Sequence, residues 1–116
     1  MSGIRLLVTG GRDYHNKDEL YNALDRIASK HYIEVLIHGA ARGADTLAGR
    51  WAQERGIEVI AVPANWTQYG RQAGPIRNLD MLNNHCPNLV VAFSGGKGTK
   101  NMIDISKKAG IKVVKI

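Results

Sequence analysis

Five short, largely apolar runs recur along the 116 residues: Ile4–Val8, Ile33–Ile37, Ile57–Val62, Leu89–Phe93 and Ile111–Ile116. Runs of this length with little polar alternation suit strands buried on both faces, as in parallel sheets. Four stretches of helical spacing separate them. Leu20, Leu24 and Ile27 share one face of the first, which runs to about Lys30, and Leu47, Trp51 and Ala52 point inward from the second. The third runs from Ile76 to about His85, and Met102, Ile105 and Ala109 line up in the fourth.

Local signals set the boundaries. Asn16 can cap the first helix, and Glu19 three residues on completes a capping-box pattern. The second helix starts near Asp45 or Thr46 and stops at Gly56. Pro63 to Pro75 breaks all periodicity and reads as a long loop with two aromatics and an arginine, the kind of segment that commonly carries function. Strand–helix alternation with right-handed crossovers predicts an α/β fold: a Rossmann-like three-layer sandwich with a five-stranded parallel sheet and about four helices. The chain reads as one domain over residues 1–116.

Three of the strands run directly into glycine-rich turns. These are Thr9-Gly10-Gly11-Arg12-Asp13, His38-Gly39-Ala40-Ala41-Arg42-Gly43-Ala44-Asp45 and Ser94-Gly95-Gly96-Lys97-Gly98-Thr99. In an open parallel sheet the C-terminal strand ends share one edge, where ligands bind, so the three turns converge on a crevice. The last is the most telling. A buried strand, a glycine turn and a helix N-terminus make an anion-binding device, with free N–H groups and the positive end of the helix dipole facing the ligand. Lys97 adds charge and Thr99 a hydroxyl.

Arg12, Arg42 and Arg77 all fall at turns or helix starts on that edge, and guanidinium groups suit bidentate phosphate recognition. Asp45 either caps its helix or accepts a ligand hydroxyl. Trp66 and Tyr69 either stack on a base or fold over the edge of the core. His38 is either a core-edge histidine satisfied by backbone or a catalytic group. The formal net charge of +6 favours anionic partners, with no dense Lys/Arg block of the nucleic-acid-tail type.

Several chemistries find no support. The first turn lacks the GxGxxG spacing of a dinucleotide site, and the last lacks the Walker spacing. The one cysteine, Cys86, has no partner for a disulfide or a zinc site, and His15, His31 and His85 have no metal-ligand spacing. No GxSxG elbow is present. No run approaches the ~20 apolar residues of a membrane span, and the beginning has no signal-peptide layout, so a cytoplasmic location is expected.

Together with Pro63-Ala64-Asn65-Trp66, Tyr69-Gly70 and Ala73-Gly74-Pro75-Ile76-Arg77-Asn78, the three turns resemble the YspA-type branch of the SLOG superfamily along nearly the whole chain. The resemblance implies a Rossmann-like fold that binds nucleotides or nucleotide-derived ligands through these turns. Related groups are the Lonely Guy phosphoribohydrolases, the DNA-processing protein A family and sensor domains for cyclic ADP-ribose-like signals. The phosphoribohydrolases have an arginine in the helix before strand four and a PGGxGTxxE stretch after it. Arg77 and Gly95-Gly96-Lys97-Gly98-Thr99 match, whereas Ser94 replaces the proline and Met102 the glutamate. A methionine supplies neither charge nor a proton, so the loop's phosphate binding carries over and that glutamate's role does not. Asp13, Asp45 or Asp104 would have to supply a carboxylate in its place, and no spacing favours any of them.

The reading is therefore a binding protein that senses or sequesters a nucleotide-derived ligand, with no cofactor and no metal. Gly10, Gly11, Gly39, Gly43, Gly95, Gly96 and Gly98 would shape the cradle. Arg12, Arg42, Arg77 and Lys97 would supply charge, Thr99 a hydroxyl and Asp45 an acceptor. A nucleotide N-glycosidic hydrolase and a DNA-binding module are the alternatives. The resemblance also implies self-association, as a homodimer or larger homo-oligomer.

Overall fold

The computed structural model describes residues 3–116 and has a single five-stranded parallel sheet. The elements follow as β1 (Ile4–Thr9), α1 (Lys17–Lys30), β2 (Ile33–His38), α2 (Ala44–Glu54), β3 (Glu58–Ala61), α3 (Trp66–Tyr69), α4 (Ala73–His85), β4 (Leu89–Ala92), α5 (Lys97–Lys108) and β5 (Lys112–Lys115). Strand order is β3-β2-β1-β4-β5. The chain builds outward from β1 to β3, then crosses back to lay β4 on the other side of β1. The order therefore reverses between β1 and β4, which is where an open α/β sheet splays its loops apart and leaves a crevice.

Strand alternation sends side chains to both faces, and each face is covered. Leu6, Val8, Leu36 and Val91 pack with Leu20, Leu24 and Trp51 under α1 and α2. Leu7, Val35, Ile37 and Val90 pack with Met81, Leu82 and Met102 under α4 and α5. This double burial is why β1, β2 and β4 read as nearly continuous apolar runs. The edge strands β3 and β5 are only half-buried and begin with Glu58 and Lys112, charges that discourage edge pairing.

Several boundaries differ from those read in the sequence. The stretch 63–75 is not an irregular loop. Asn65 accepts the Gln68 N–H at 3.0 Å and caps α3, a 3-10 turn (Gly70–Gln72) follows, and α4 begins at Ala73. Pro75 is the third residue of α4, within the first turn, where an amide has no intrahelical acceptor to lose. The capping box of α1 is half formed. Asn16 accepts the Glu19 N–H at 3.1 Å, but the Glu19 carboxylate takes the Tyr14 hydroxyl. Ala109 is exposed and only caps the end of α5, and buried Ser106 holds the inward position, donating its hydroxyl to the Met102 carbonyl at 2.7 Å. Among the described residues no helix is long and apolar enough to cross a membrane.

Candidate ligand-binding cleft

The turns after β1 and β4 meet at the strand reversal. The Gly11 amide donates to the Ser94 carbonyl at 2.9 Å, and the Gly11 carbonyl accepts from Ala44, the first residue of α2, at 3.2 Å. All three glycine turns thus pack against one another. Above them opens a cleft of about 550 Å3, within the range of small-molecule sites.

Gly10, Gly11, Arg12, Gly39, Asp45, Arg77, Gly96, Lys97, Gly98 and Thr99 line this cleft. Arg42 does not; it lines an adjoining recess of about 310 Å3 that also includes Arg12, Trp66 and Arg77. Gly43 and Gly95 line neither. Gly43 caps α2 at φ +76°, and a Cβ there would stand 2.2 Å from the Gly11 carbonyl oxygen. A Cβ on Gly95 would stand 2.2 Å from Thr99 Oγ1 and 2.7 Å from the Gly11 nitrogen. These two glycines let the turns approach each other, and neither borders the cleft. Glycine at a turn signals close approach without saying to what.

Four cations, Arg12, Arg71, Arg77 and Lys97, line the cleft together with two acids, Asp13 and Asp45. The N-terminus of α5 opens into it. Gly96 caps this helix without a side-chain hydrogen bond, and the first intrahelical donor is Lys100, to the Gly96 carbonyl at 3.0 Å. The amides of Lys97, Gly98 and Thr99 have no acceptor among the described residues. A Cβ on Gly96 or Gly98 would meet nothing within 4 Å. Backbone donors, a dipole end and open space are thus combined at one point.

Arg77 is held from two sides. Its Nη1 donates to the Gly39 carbonyl, and its Nε to Asn78 Oδ1 at 2.9 Å. Asn78, 3% exposed, in turn donates Nδ2 to Asn101 Oδ1 at 2.9 Å and to the Gly98 carbonyl at 3.3 Å. One amide therefore ties the arginine of α4 to the first turn of α5. In the sequence Asn78 enters only as the end of the Ala73–Asn78 motif and without a role of its own, although its spacing from Gly74, Met81 and Leu82 puts it on the buried face of α4. Buried polar residues with all their groups paired are the ones that fix a geometry.

Asp45 does not cap its own helix. As the second residue of α2 it turns back, and Oδ2 accepts the amides of Gly39 at 3.0 Å and Ala41 at 3.2 Å. Burial drives its pKa from 3.8 up to about 6, against the opposing pull of those amides and of Arg77 and Arg12. Oδ1 has no hydrogen-bond partner among the described residues, yet it is not sealed from solvent, so it is open to the cleft. Burial also lowers the Arg77 pKa, with Arg12 adding to it and Asp45 opposing. His38 is buried, and its Nδ1 accepts the Ala40 amide at 2.9 Å. It lines neither cleft nor recess and is the core-edge histidine of the two options. Its pKa is lowered by burial and then by Arg77.

Of the remaining carboxylates, Asp13 lines the cleft, whereas Asp104 faces a hollow beside β5. Met102 is fully buried against the sheet. Trp66 borders the cleft and Tyr69 does not. Among the described residues no group of three or more His, Cys, Asp or Glu is placed to hold a metal ion.

The profile of the YspA, cpYpsA-related SLOG family matches residues 4–69, from β1 through α3. The chain belongs to the YspA, cpYpsA-related SLOG family. This SLOG domain is also 35% identical over 118 residues to the Gene 61 protein of Mycobacterium phage D29, covering 95% of this chain and 94% of that one. The alignment with the phage protein therefore extends past the profile match and spans the α4 and α5 segments that complete the cleft of the SLOG domain. No solved structure matches it significantly.

Proposed function

We propose that this SLOG domain binds a nucleotide or nucleotide-derived molecule in the cleft, with a phosphate at the N-terminus of α5. The observation that carries the reading is the set of unpaired amides at Lys97, Gly98 and Thr99, opening into the same cleft as Arg77. Backbone donors there need no reorganisation to receive an anion, and Arg77 is pre-oriented by Asn78 and Gly39. The Asp45 Oδ1 is an acceptor suited to a ribose hydroxyl. The output is sensing or sequestration.

The test is a thermal-shift screen with nucleoside monophosphates, ADP-ribose, cyclic ADP-ribose isomers and NAD, followed by chromatography of each mixture. Ligand at about a hundred times Kd stabilises by roughly 2.7 kcal/mol, which a small domain registers as a clear rise in Tm. Recovery of the ligand unchanged is the expected result. No rise with any of these compounds overturns the reading.

Asp45 favours a second reading, hydrolysis of the N-glycosidic bond. A carboxyl with a pKa of about 6 and a free oxygen toward the cleft is poised for proton transfer near neutrality. Release of free base from a nucleoside monophosphate, abolished by Asp45→Asn, would establish it. Unchanged nucleotide after long incubation would exclude it.

A further inference from the structure

Arg12 and Trp66 stand between the main cleft and the recess beside Arg42, and both residues line both spaces. The guanidinium carbon of Arg12 lies 5.0 Å from the centre of the Trp66 ring. Trp66 is 48% exposed, so the indole is not folded away into the core. It opens α3 behind the Asn65 cap, and its Cη2 lies 3.6 Å from where a Cβ on Gly74 would be. The outer edge of the ring thus stands over Gly74, near enough that an alanine there would touch it. Arg12 makes no hydrogen bond or ion pair among the described residues, so the Trp66 face is its one specific contact.

A half-exposed aromatic ring bordering an anion site is what a planar heterocycle needs as a stacking surface. Base–aromatic stacking exceeds an exposed cation–π contact in strength, so a base displaces the guanidinium from the ring. The displaced Arg12 still borders the cleft, where it can pair with the ligand's phosphate. We propose that Trp66 is the stacking platform for a nucleobase, purines ahead of pyrimidines, and that Arg12 gives up the ring face when the base enters. This rests on the nucleotide-binding reading above and assigns the base end of the same site.

The experiment compares adenosine 5′-monophosphate with ribose 5-phosphate by calorimetry on the wild-type chain, Trp66→Ala and Trp66→Phe, each first checked for an intact melting transition. Wild type should bind the nucleotide roughly tenfold more tightly than the sugar phosphate. Trp66→Ala should erase that difference while leaving ribose 5-phosphate affinity unchanged, and Trp66→Phe should keep most of it. Tryptophan emission gives an independent signal. Trp51 is buried, with its Nε1 on Asp25 at 2.8 Å, so quenching by the nucleotide should report Trp66 and vanish in Trp66→Phe. Equal binding of the two compounds, or an equal loss of both in Trp66→Ala, overturns the platform while leaving the phosphate site standing. Failure of both compounds to bind overturns the platform and the phosphate site together.

Discussion

Arg77 lies across Gly39: its Nη1 donates to the Gly39 carbonyl, and an ideal Cβ at position 39 would stand 2.6 Å from that same nitrogen. The missing side chain on the β2 turn and the guanidinium from α4 fill one space. Glycine 39 therefore has its role through the arginine, which it admits to the cleft.

Replacing Gly39 with alanine should cost little stability, because the atoms it meets are the far end of a flexible side chain. It should, however, push Arg77 off its perch. Loss of one charge-assisted hydrogen bond is about 1.5–3 kcal/mol, or roughly 10- to 150-fold in affinity. Calorimetry with adenosine 5′-monophosphate, alongside a melting curve, checks both halves. Unchanged affinity in the folded variant would mean Arg77 does not touch the ligand.

Asp45 predicts a pH dependence of stability. Its folded pKa, about 6, lies above its ordinary value of 3.8, so the folded state binds the proton more tightly than the unfolded chain. The associated stability is fully present below about pH 4 and is lost as pH rises through 6, about 3 kcal/mol at most. His38 acts in the opposite sense. Its pKa is lowered in the fold, so its contribution is present above the ordinary value of 6.5 and is lost on acidification. Asp45→Asn keeps an oxygen for the Gly39 and Ala41 amides and removes the first effect alone. Urea unfolding from pH 4 to pH 8 should therefore show the variant overtaking wild type as pH rises. Parallel curves would contradict the buried, proton-binding Asp45.

The five strands and the three converging turns were legible because apolar runs and turn glycines are local signals. Most boundaries were also near the mark. Strand order was not legible, since nothing in Leu89–Ala92 states that it returns to the side of β1 away from β2; that follows from crossover packing. The start of α4 was hidden because Gly70, Gly74 and Pro75 read as breakers, and only tertiary packing shows that they fall in a tight turn and a first helical turn. Glycine roles were ambiguous for a physical reason: Gly43 and Gly95 face neighbouring backbone or side chains, whereas Gly96 and Gly98 face the cleft, and sequence carries no direction. Asn78 did carry a signal, a polar residue in phase with Met81 and Leu82, and that phase marks it as a buried junction.

Asn78→Ala should uncouple α4 from α5. It removes the acceptor for Arg77 Nε and the donor to Asn101 and Gly98, at a cost of about 1–3 kcal/mol. Urea denaturation should register that loss, and nucleotide affinity should fall with it because Arg77 and the α5 turn lose their common support. A stable variant with intact affinity would show that Gly39 alone positions the arginine.

The glycines of the β4–α5 loop should divide by function. Gly98 is the second residue of α5 and has open space where its Cβ would be, so Gly98→Val has no steric reason to unfold the chain. Glycine is also the poorer helix former by a few tenths of a kcal/mol, so the melting temperature should hold or rise slightly. The added branches should, however, narrow the cleft that Gly98 lines beside Lys97 and Thr99, and so hinder a phosphate from reaching their amides. Gly95→Ala should do the reverse. Its Cβ meets Thr99 Oγ1 at 2.2 Å and the Gly11 backbone nitrogen at 2.7 Å, and the backbone contact cannot be relieved by rotating a side chain. It should lower the melting temperature by several degrees. Melting curves with and without adenosine 5′-monophosphate separate the two: Gly98→Val keeps its transition and loses the ligand-induced rise, while Gly95→Ala loses stability without any ligand added. A ligand-induced rise that survives in Gly98→Val would move the phosphate away from α5 and leave the arginines as its remaining anchor.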